Sequence, residues 1–177
     1  AQDKYVRAVV GGVGEAKTAG NYAASLLPST MARKEGFDQV MWLDGVHKKY
    51  IQEVGTMNIF FVVKDEIITP NLDGAILDGI TRKSMLELFK DQGYKVTERP
   101  ITIDEIIEAG QSGDLVEIFG TGTAAVIAPV SHLKYKDTTI ELDMAKRQIS
   151  KWAYDTINGI RNRTVTDKFG WIVEAKP

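Results

Sequence analysis

The sequence has 177 residues, 44% of them hydrophobic, and a formal net charge of −2. A chain of this size can bury a core without disulfides, and its mixed charges give no basic surface for nucleic acid or anionic lipid. The lack of cysteine excludes disulfides, thiolate zinc sites and a cysteine nucleophile, and His47 and His132 are too few for a histidine-dominated metal site. No apolar run approaches the roughly 20 residues of a membrane span, and the N-terminus lacks a signal-peptide pattern. These features predict a cytoplasmic protein with no nucleic-acid or membrane partner and no bound metal.

The first part of the chain predicts a strand, a loop and a helical region. Residues 5–10 are rich in β-branched side chains and predict a short strand, and the small residues that follow predict a loop. A helical pattern begins near Asn21. Pro28 is expected to kink or divide this helix and Gly36 to end it, so that two short helices can form.

The middle of the chain predicts strands and then two helices. Apolar and alternating runs over residues 38–70 predict an antiparallel meander. A helix is expected just after Gly79, with Gly93 at its C-terminal end. Thr102 and Glu105 form a capping-box pattern that predicts a helix over residues 103–109.

The last third predicts a return to strands and a final amphipathic helix over residues 144–157. The predicted strands cover residues 116–120, 124–130, 132–137 and 138–142. Because the chain shows no repeat and no linker, a single α+β domain over residues 1–177 is the economical prediction.

Lys17 follows a loop of small residues just before the first helical region, and two chemistries compete for it. Gly11, Lys17 and Thr18 nearly match the phosphate loop of nucleotide hydrolases, and Asp44 after an apolar strand could hold magnesium. Ala16, however, stands where that loop needs a glycine to approach phosphate. The other chemistry is a Schiff base, in which a lysine condenses with an aldehyde cofactor and later acts as a general base. An ordinary solvated lysine is the plainest alternative.

Three further segments have compositions that suit an anion or a cation. Residues 77–82 place Gly79 before a helix without a side-chain cap, and free backbone N–H groups there can bind an anion. Residues 120–125 contain two glycines and two threonines, which can form a nest of N–H donors. Glu53 ends a predicted strand, and an inward carboxylate there would need a cationic partner such as a protonated pyridine nitrogen. A plain turn, a glycine-rich hairpin and a solvent-facing acid are the respective alternatives.

Five motifs in this order resemble the branched-chain amino-acid aminotransferases, which are fold-type IV enzymes that use pyridoxal 5'-phosphate. They are GGVGEAKTAGNYAASLL, QVMWLDG, EVGTMNIFF, ITPNLDGAILDGITRKS and FGTGTAAVIAPV, and the similarity extends over about residues 5–171. An ordered set of this length is far more specific than a single glycine-rich loop. The resemblance implies the large C-terminal domain of this fold type, an α+β structure whose mixed or antiparallel sheet forms a pseudo-barrel with surrounding helices.

The resemblance also implies roles for individual residues. Lys17 would form the internal aldimine and move the proton between the α-carbon and the C4' atom of the cofactor. Tyr22 would hydrogen-bond the phenolic oxygen of the ring, and Glu53 would pair with the pyridine nitrogen. The other implied cofactor-binding residues are Thr56 beside the cofactor, Leu77 on the ring face, and Gly79, Ile80, Thr81, Gly122 and Thr123 around the phosphate. The implied substrate-binding residues are Tyr22, Thr123 and Ala124.

The implied reaction is reversible amino transfer between leucine, isoleucine or valine and 2-oxoglutarate, as in branched-chain amino-acid biosynthesis. Family members also have an N-terminal domain that supplies an arginine to the phosphate and much of the contact in a homodimer. The sequence is expected to lack this domain, so we expect it to bind cofactor but to have little activity alone. A D-amino-acid aminotransferase or an aminodeoxychorismate lyase of the same fold type is the close alternative. Ala125 and Ala128 replace the C-x-x-C redox pair of some members, which excludes a thiol switch there.

Overall fold

The computed structural model describes residues 1–175, which form nine strands and five α-helices. The helices are α1 Ala19–Ala23, α2 Leu26–Lys34, α3 Ile80–Asp91, α4 Ile103–Ser112 and α5 Ile149–Arg161, and a short 3-10 helix spans Met144–Lys146. The strands are β1 Met41–Leu43, β2 Ile51–Val54, β3 Asn58–Val63, β4 Glu66–Thr69, β5 Lys95–Glu98, β6 Leu115–Gly122, β7 Val126–Pro129, β8 His132–Tyr135 and β9 Thr138–Glu141. No helix within residues 1–175 is long and apolar enough to cross a bilayer.

The main sheet has five strands in the order β5-β4-β3-β6-β7. β3 pairs antiparallel with both β4 and β6, and β6 pairs antiparallel with β7. β5 lies parallel to β4 after a crossover through α3. The remaining strands form two separate pairs, β1 with β2 and β8 with β9. The predicted α+β class with a mixed, mainly antiparallel sheet is therefore confirmed, and none of the three sheets in residues 1–175 closes into a barrel by itself.

Both faces of β3 are buried, which explains its nearly continuous apolar sequence. Successive residues of a strand point to opposite faces. Ile59 and Phe61 lie in the core cluster that α4 covers through Ile106. Phe60 stacks on Phe119 with 5.4 Å between the ring centroids, in the cluster that α3 and α5 cover. The strand ends and the loops that follow them are thus fixed on a sheet that is packed on both sides.

Signals that act over a few residues predict the helices α3 and α4 correctly. α3 begins directly after Gly79, and Gly93 adopts a φ of +85° beyond its end. Thr102 Oγ1 accepts a hydrogen bond from the Glu105 N–H at 3.1 Å and caps α4. The Glu105 carboxylate pairs with Arg99 rather than with the Thr102 N–H, so half of the predicted capping box is formed.

The division of the first helical region is also confirmed, since α1 and α2 are separate short helices. Pro28 is the third residue of α2 and does not lie at the break itself. In the first turn of a helix the N–H groups have no helical partner, so a proline is tolerated there. Gly36 follows the end of α2 with a φ of +87°.

The predicted strand over residues 5–10 is wrong, because this segment is irregular. Val9 and Val10 are 44% and 63% exposed, so they do not pack in a sheet. The side chain of Arg7 turns inward and donates to the carbonyl of Ala75. β-branched composition favours a strand only where a neighbouring strand offers pairing and packing.

The start of the final helix also differs from the prediction. The 3-10 helix ends at Lys146, and α5 begins at Ile149 rather than at residue 144. The buried carboxylate of Glu117 in β6 accepts hydrogen bonds from three N–H groups at this start, those of Gln148, Ile149 and Ser150, at 2.7 to 2.9 Å. A distant acid therefore caps α5 and fixes where it begins.

Candidate functional site

Glu53 is a buried acid near the end of β2, with 3% of its surface exposed. Its Oε1 accepts a hydrogen bond from the Leu77 N–H at 2.9 Å, and its Oε2 lies 3.1 Å from Nε of Arg7. Burial raises the pKa of Glu53 above its ordinary value, while the charge of Arg7 and the Leu77 N–H act in the opposite direction. The carboxylate thus faces inward among charged and polar partners, and the alternative of a solvent-facing acid is wrong.

Arg7 joins three segments around this acid. Its Nη2 donates to the carbonyl of Ala75 and, at 3.4 Å, to that of Gly14. The Nε–H is not directed at Glu53, so its contact with that carboxylate is an ion pair rather than an aligned hydrogen bond. A Cβ on Gly14 would lie 2.4 Å from the Ala75 oxygen, which shows how closely the two loops approach. The loop before Lys17 therefore lies against the loop before α3.

The loop that bears Lys17 is ordered by Asn21, a buried residue of α1. Its Nδ2 donates to the carbonyls of Val13 and Ala16 at 2.8 and 2.7 Å. Lys17 itself is exposed, and in the described part of the chain its amine takes part in no hydrogen bond or ion pair. Tyr22 is 40% exposed. The amine is thus free to react with a ligand, as a Schiff-base lysine must be.

The start of α3 offers backbone N–H groups without a side-chain cap. Asn58 Nδ2 donates to the Leu77 carbonyl at 2.8 Å, and a Cβ on Gly79 would lie 2.2 Å from Asn58 Oδ1. Glycine is therefore required at position 79 because a side chain there would collide with Asn58, whether or not a ligand also approaches closely. Ile80 is 74% exposed and Thr81 is buried, so the first turn of the helix opens to solvent on one side. Such a helix start suits an anion.

The turn between β6 and β7 lies next to the start of α3. Asn58 in β3 pairs with Thr121 in β6, and Thr121 Oγ1 is buried with no hydrogen-bond partner among the described residues. A Cβ on Gly122 would lie 3.3 Å from Cγ of Met57. Thr123 and Ala124 are exposed in the turn itself. An unpaired buried hydroxyl and an exposed turn are thus present where the sequence predicts part of an anion site.

The predicted site residues divide into three groups by their contacts. Glu53, Leu77 and Gly79 are joined directly to one another or through Asn58. The loop of Lys17 is joined to the first group through Arg7. The remaining residues are placed by their elements alone: Tyr22 in α1, Thr56 exposed in the turn before β3, Ile80 and Thr81 in α3, and Gly122, Thr123 and Ala124 at the β6–β7 turn.

Two residues of this site, Arg7 and Asn58, have no role in the sequence interpretation, and Thr121 enters it only as a member of the glycine-rich segment 120–125. Arg7 lies in the segment predicted as a strand, and Asn58 and Thr121 lie in apolar strands. For Asn58 the available signal is a polar residue within an apolar strand, because such a residue is buried only with a partner or a function. Nothing local distinguishes Arg7, since its partners are distant in sequence.

The phosphate-loop hypothesis predicts that Asp44 binds magnesium. In the structure, the Asp44 carboxylate instead accepts hydrogen bonds from backbone N–H groups. Its Oδ2 accepts the N–H groups of Val46 and His47, and its Oδ1 accepts those of Lys49 and Tyr50, at 2.6 to 3.0 Å. An ionised carboxylate has about four acceptor positions, so none is left for a metal. Within residues 1–175, no group of three or more histidine, aspartate or glutamate side chains is arranged to hold a metal ion.

Replacing Asp44 with asparagine is expected to cost about 2 kcal/mol of unfolding free energy near neutral pH. Burial opposes ionisation of Asp44, but the four N–H donors outweigh it and lower the pKa from 3.8 to about 2. Since the folded pKa is below the unfolded one, this stabilisation is present above pH 3.8 and is lost as the pH falls through about 2.

Urea unfolding between neutral pH and about pH 2 measures this effect. The difference between the unmodified chain and Asp44→Asn should shrink as the pH falls below about 4. Asp38→Asn, a change at an exposed acid before β1, serves as the control. A pH-independent difference, or one matched by the control, would contradict this role.

A groove with a volume of about 620 Å³ lies elsewhere, between α2, β1 and the β7–β8 segment. Its walls are formed in part by Met31, Phe37, Val130 and Leu133, and no predicted site residue belongs to them. Glu53, the start of α3 and the exposed lysine mark the candidate site.

Comparison with solved structures shows that this fold is that of the fold-type IV aminotransferases. The crystal structure of Escherichia coli branched-chain amino acid aminotransferase matches with a TM-score of 0.81 and 29% identity, over 97% of this chain and 53% of that chain. An aminotransferase from Brucella abortus, solved with the cofactor PLP bound, matches with a TM-score of 0.60 and 27% identity, over 76% of this chain and 42% of that chain.

Sequence comparison gives the family: the profile of the amino-transferase class IV family matches residues 6–133, and the chain belongs to that family. The probable branched-chain-amino-acid aminotransferase of Staphylococcus aureus (strain N315) is 57% identical over 173 residues, which are 97% of this chain and 48% of that protein. The chain therefore spans about half the length of the curated relatives it matches. This membership decides against the nucleotide hydrolase.

Proposed function

We propose that the chain is the cofactor-binding domain of a branched-chain-amino-acid aminotransferase, which transfers the amino group of leucine, isoleucine or valine to 2-oxoglutarate. Pyridoxal 5'-phosphate is the proposed cofactor, with Lys17 as the residue that bonds to its aldehyde. The relatives of 57% and 54% identity are both named as branched-chain-amino-acid aminotransferases, which favours this substrate class over the other fold-type IV activities.

The observation that carries the proposal is the inward carboxylate of Glu53. A buried acid that already has one N–H donor and a neighbouring cation can accept a further hydrogen bond from a protonated ring nitrogen. When bound, the cofactor supplies an electron sink for the substrate carbanion, and that sink depends on the protonated ring nitrogen. The task of Glu53 is thus to keep a proton on that nitrogen.

The other residues divide the remaining tasks. The start of α3, through the N–H groups of Ile80 and Thr81, would hold the phosphate with Gly79, Gly122 and Thr123. Leu77 is half-buried next to Glu53 and would pack on the ring face, with Thr56 nearby and Tyr22 at the phenolic oxygen. Thr123 and Ala124 would receive the substrate carboxylate on the exposed β6–β7 turn, together with Tyr22. The Lys17 amine would carry the proton between the two reacting carbons.

A second domain and a second copy of the protein belong to this proposal. The curated relatives are about twice as long as the chain, and we propose that the half of their length that the chain does not match is also part of the complete enzyme. We propose that the missing half supplies an arginine for the phosphate and part of the substrate pocket, and that the complete enzyme is a homodimer. By itself the chain would capture the cofactor but turn over poorly.

Reduction with borohydride in the presence of pyridoxal 5'-phosphate tests the proposal. The amine condenses with the aldehyde with loss of water, and borohydride converts the product into a stable secondary amine that peptide mass mapping can locate. We expect one dominant adduct, on Lys17. An adduct spread over the surface lysines, or none, would overturn the proposal.

Substrate class is tested on the chain joined to its missing half. We expect leucine, isoleucine and valine to donate their amino groups to 2-oxoglutarate. Preferential use of D-amino acids, or cleavage of aminodeoxychorismate, would instead assign the protein to one of the other fold-type IV activities.

A further inference from the structure

We infer that Arg7 is a positioning residue of the cofactor site, which holds the Glu53 carboxylate as an anion and ties the loop of Lys17 to the loop before α3. This inference rests on the proposed function, because it concerns the acid that would meet the cofactor ring. It adds a residue ten positions before Lys17, in a segment that the sequence interpretation treated as an ordinary strand.

The first step concerns charge. The side chains of Arg7 and Glu53 are only 7% and 4% exposed, so each is largely removed from water. A buried carboxylate without a cation takes up a proton, and a neutral acid is a weak partner for a protonated ring nitrogen. An arginine stays charged at any pH a protein experiences. Burial raises the pKa of Glu53, and the charge of Arg7 acts in the opposite direction, so Arg7 favours the ionised carboxylate before any cofactor arrives.

The second step concerns geometry. The guanidinium group contacts Glu53 through Nε and the carbonyls of Ala75 and Gly14 through Nη2. These three partners lie in β2, in the loop before α3 and in the loop before Lys17. A planar guanidinium can reach them together from its fixed fork, whereas a lysine ammonium is a single point of charge. Arg7 thus sets the relative positions of the segments that would surround the ring.

The third step separates this role from a general structural one. The neighbouring loops also approach closely at Gly14, where no side chain fits, so packing contributes to their positions together with Arg7. What packing cannot supply is a permanent positive charge 3.1 Å from Glu53. A residue that only supports the fold would affect stability alone, while Arg7 should also change how Glu53 titrates.

The test uses Arg7→Gln, Arg7→Lys and Glu53→Gln, with the exposed Arg33→Gln of α2 as the matched control. Carbon-13 NMR of the glutamate carboxyls, without cofactor, follows the titration of Glu53. Arg7→Gln is expected to raise the pKa of Glu53 further, by roughly 1 to 3 pH units, because the nearby cation is removed. Arg33→Gln should leave that titration unchanged.

Cofactor affinity is the second measurement, from the absorbance of bound pyridoxal 5'-phosphate. Arg7→Gln is expected to raise the Kd about 10-fold or more, and the same change made in a Glu53→Gln background should have a clearly smaller effect. Full additivity of the two changes would overturn the inference. If Arg7→Gln does not fold, Arg7→Lys provides the test. For Arg7→Lys we expect an unchanged titration of Glu53 and a several-fold higher Kd for the cofactor. A Kd equal to that of the unmodified chain would overturn the inference.

Failure of the proposed function and failure of the role of Arg7 give different experimental results. Absence of a borohydride-stable adduct on Lys17 in the unmodified chain removes the proposed function. An unchanged titration of Glu53 in Arg7→Gln removes the role of Arg7, whether or not the cofactor binds.

Discussion

Replacing Lys17 with alanine is expected to abolish the borohydride-stable attachment of pyridoxal 5'-phosphate. The reaction needs a primary amine next to the bound aldehyde. The Lys17 amine is exposed, and within residues 1–175 no acid holds it in an ion pair. Alanine removes the amine and leaves the loop intact, because Asn21 fixes that loop through its backbone carbonyls. Intact-mass measurement after reduction reports the loss.

Lys34→Ala is the matched control, since Lys34 is an exposed lysine at the end of α2. It should retain the adduct at the level of the unmodified chain. Lys17→Arg adds a further distinction, because arginine keeps the positive charge but does not condense with an aldehyde. An adduct that survives in Lys17→Ala at full yield would show that another lysine captures the cofactor.

Among the substitutions described, Glu117→Ala is expected to be the most destabilising, and it should lower the free energy of unfolding by about 3 kcal/mol. The carboxylate accepts three N–H groups at the start of α5, and it is buried, so water cannot take its place without cost. α5 contributes Ala153, Ile157 and Ile160 to the core cluster that contains Phe60. Loss of the cap should therefore loosen this helix from the sheet.

Thermal unfolding should show a fall in Tm of roughly 10 °C for Glu117→Ala. Glu117→Gln keeps one acceptor oxygen and should lie between that variant and the unmodified chain. Glu87→Ala changes an exposed glutamate of α3 and should stay within about 0.5 kcal/mol. Equal stability of Glu117→Ala and Glu87→Ala would refute the capping role.

The helices that the sequence predicts correctly have start and stop signals that lie within a few residues of their own ends. Gly79 and Gly93 bound α3, and Thr102 caps α4 with an N–H only three residues away. The start of α5 was placed too early because its cap, Glu117, comes from another part of the chain. A local pattern cannot contain that information.

Strand pairing shows the same limit. The meander predicted over residues 38–70 is present as two hairpins, but β1-β2 and β3-β4 lie in different sheets, and the sequence does not indicate this separation. β5 was not predicted at all. Few of its four residues are apolar, and the strand is partly exposed because it lies at the edge of the sheet. It is held there by parallel pairing with β4.

The sequence predicts which residues belong to the candidate site but not how they are arranged in space. The ordered motifs identify Lys17, Glu53 and Gly79, and the structure brings Glu53 and Gly79 close together through Leu77 and Asn58. The roles of these residues in cofactor binding stay predictions. The sequence around Arg7 does not indicate its role, because its ion pair with Glu53 forms only when the loops are packed.

The contact between Arg7 and Ala75 has a consequence for the order in which the protein folds. These residues are 68 positions apart in sequence, and closing so long a loop costs conformational entropy that earlier contacts must offset. The β3-β4 hairpin and α3 use partners that are near in sequence and can form before this closure. We therefore expect the loop of Lys17 to become ordered late in folding, after these local elements have formed.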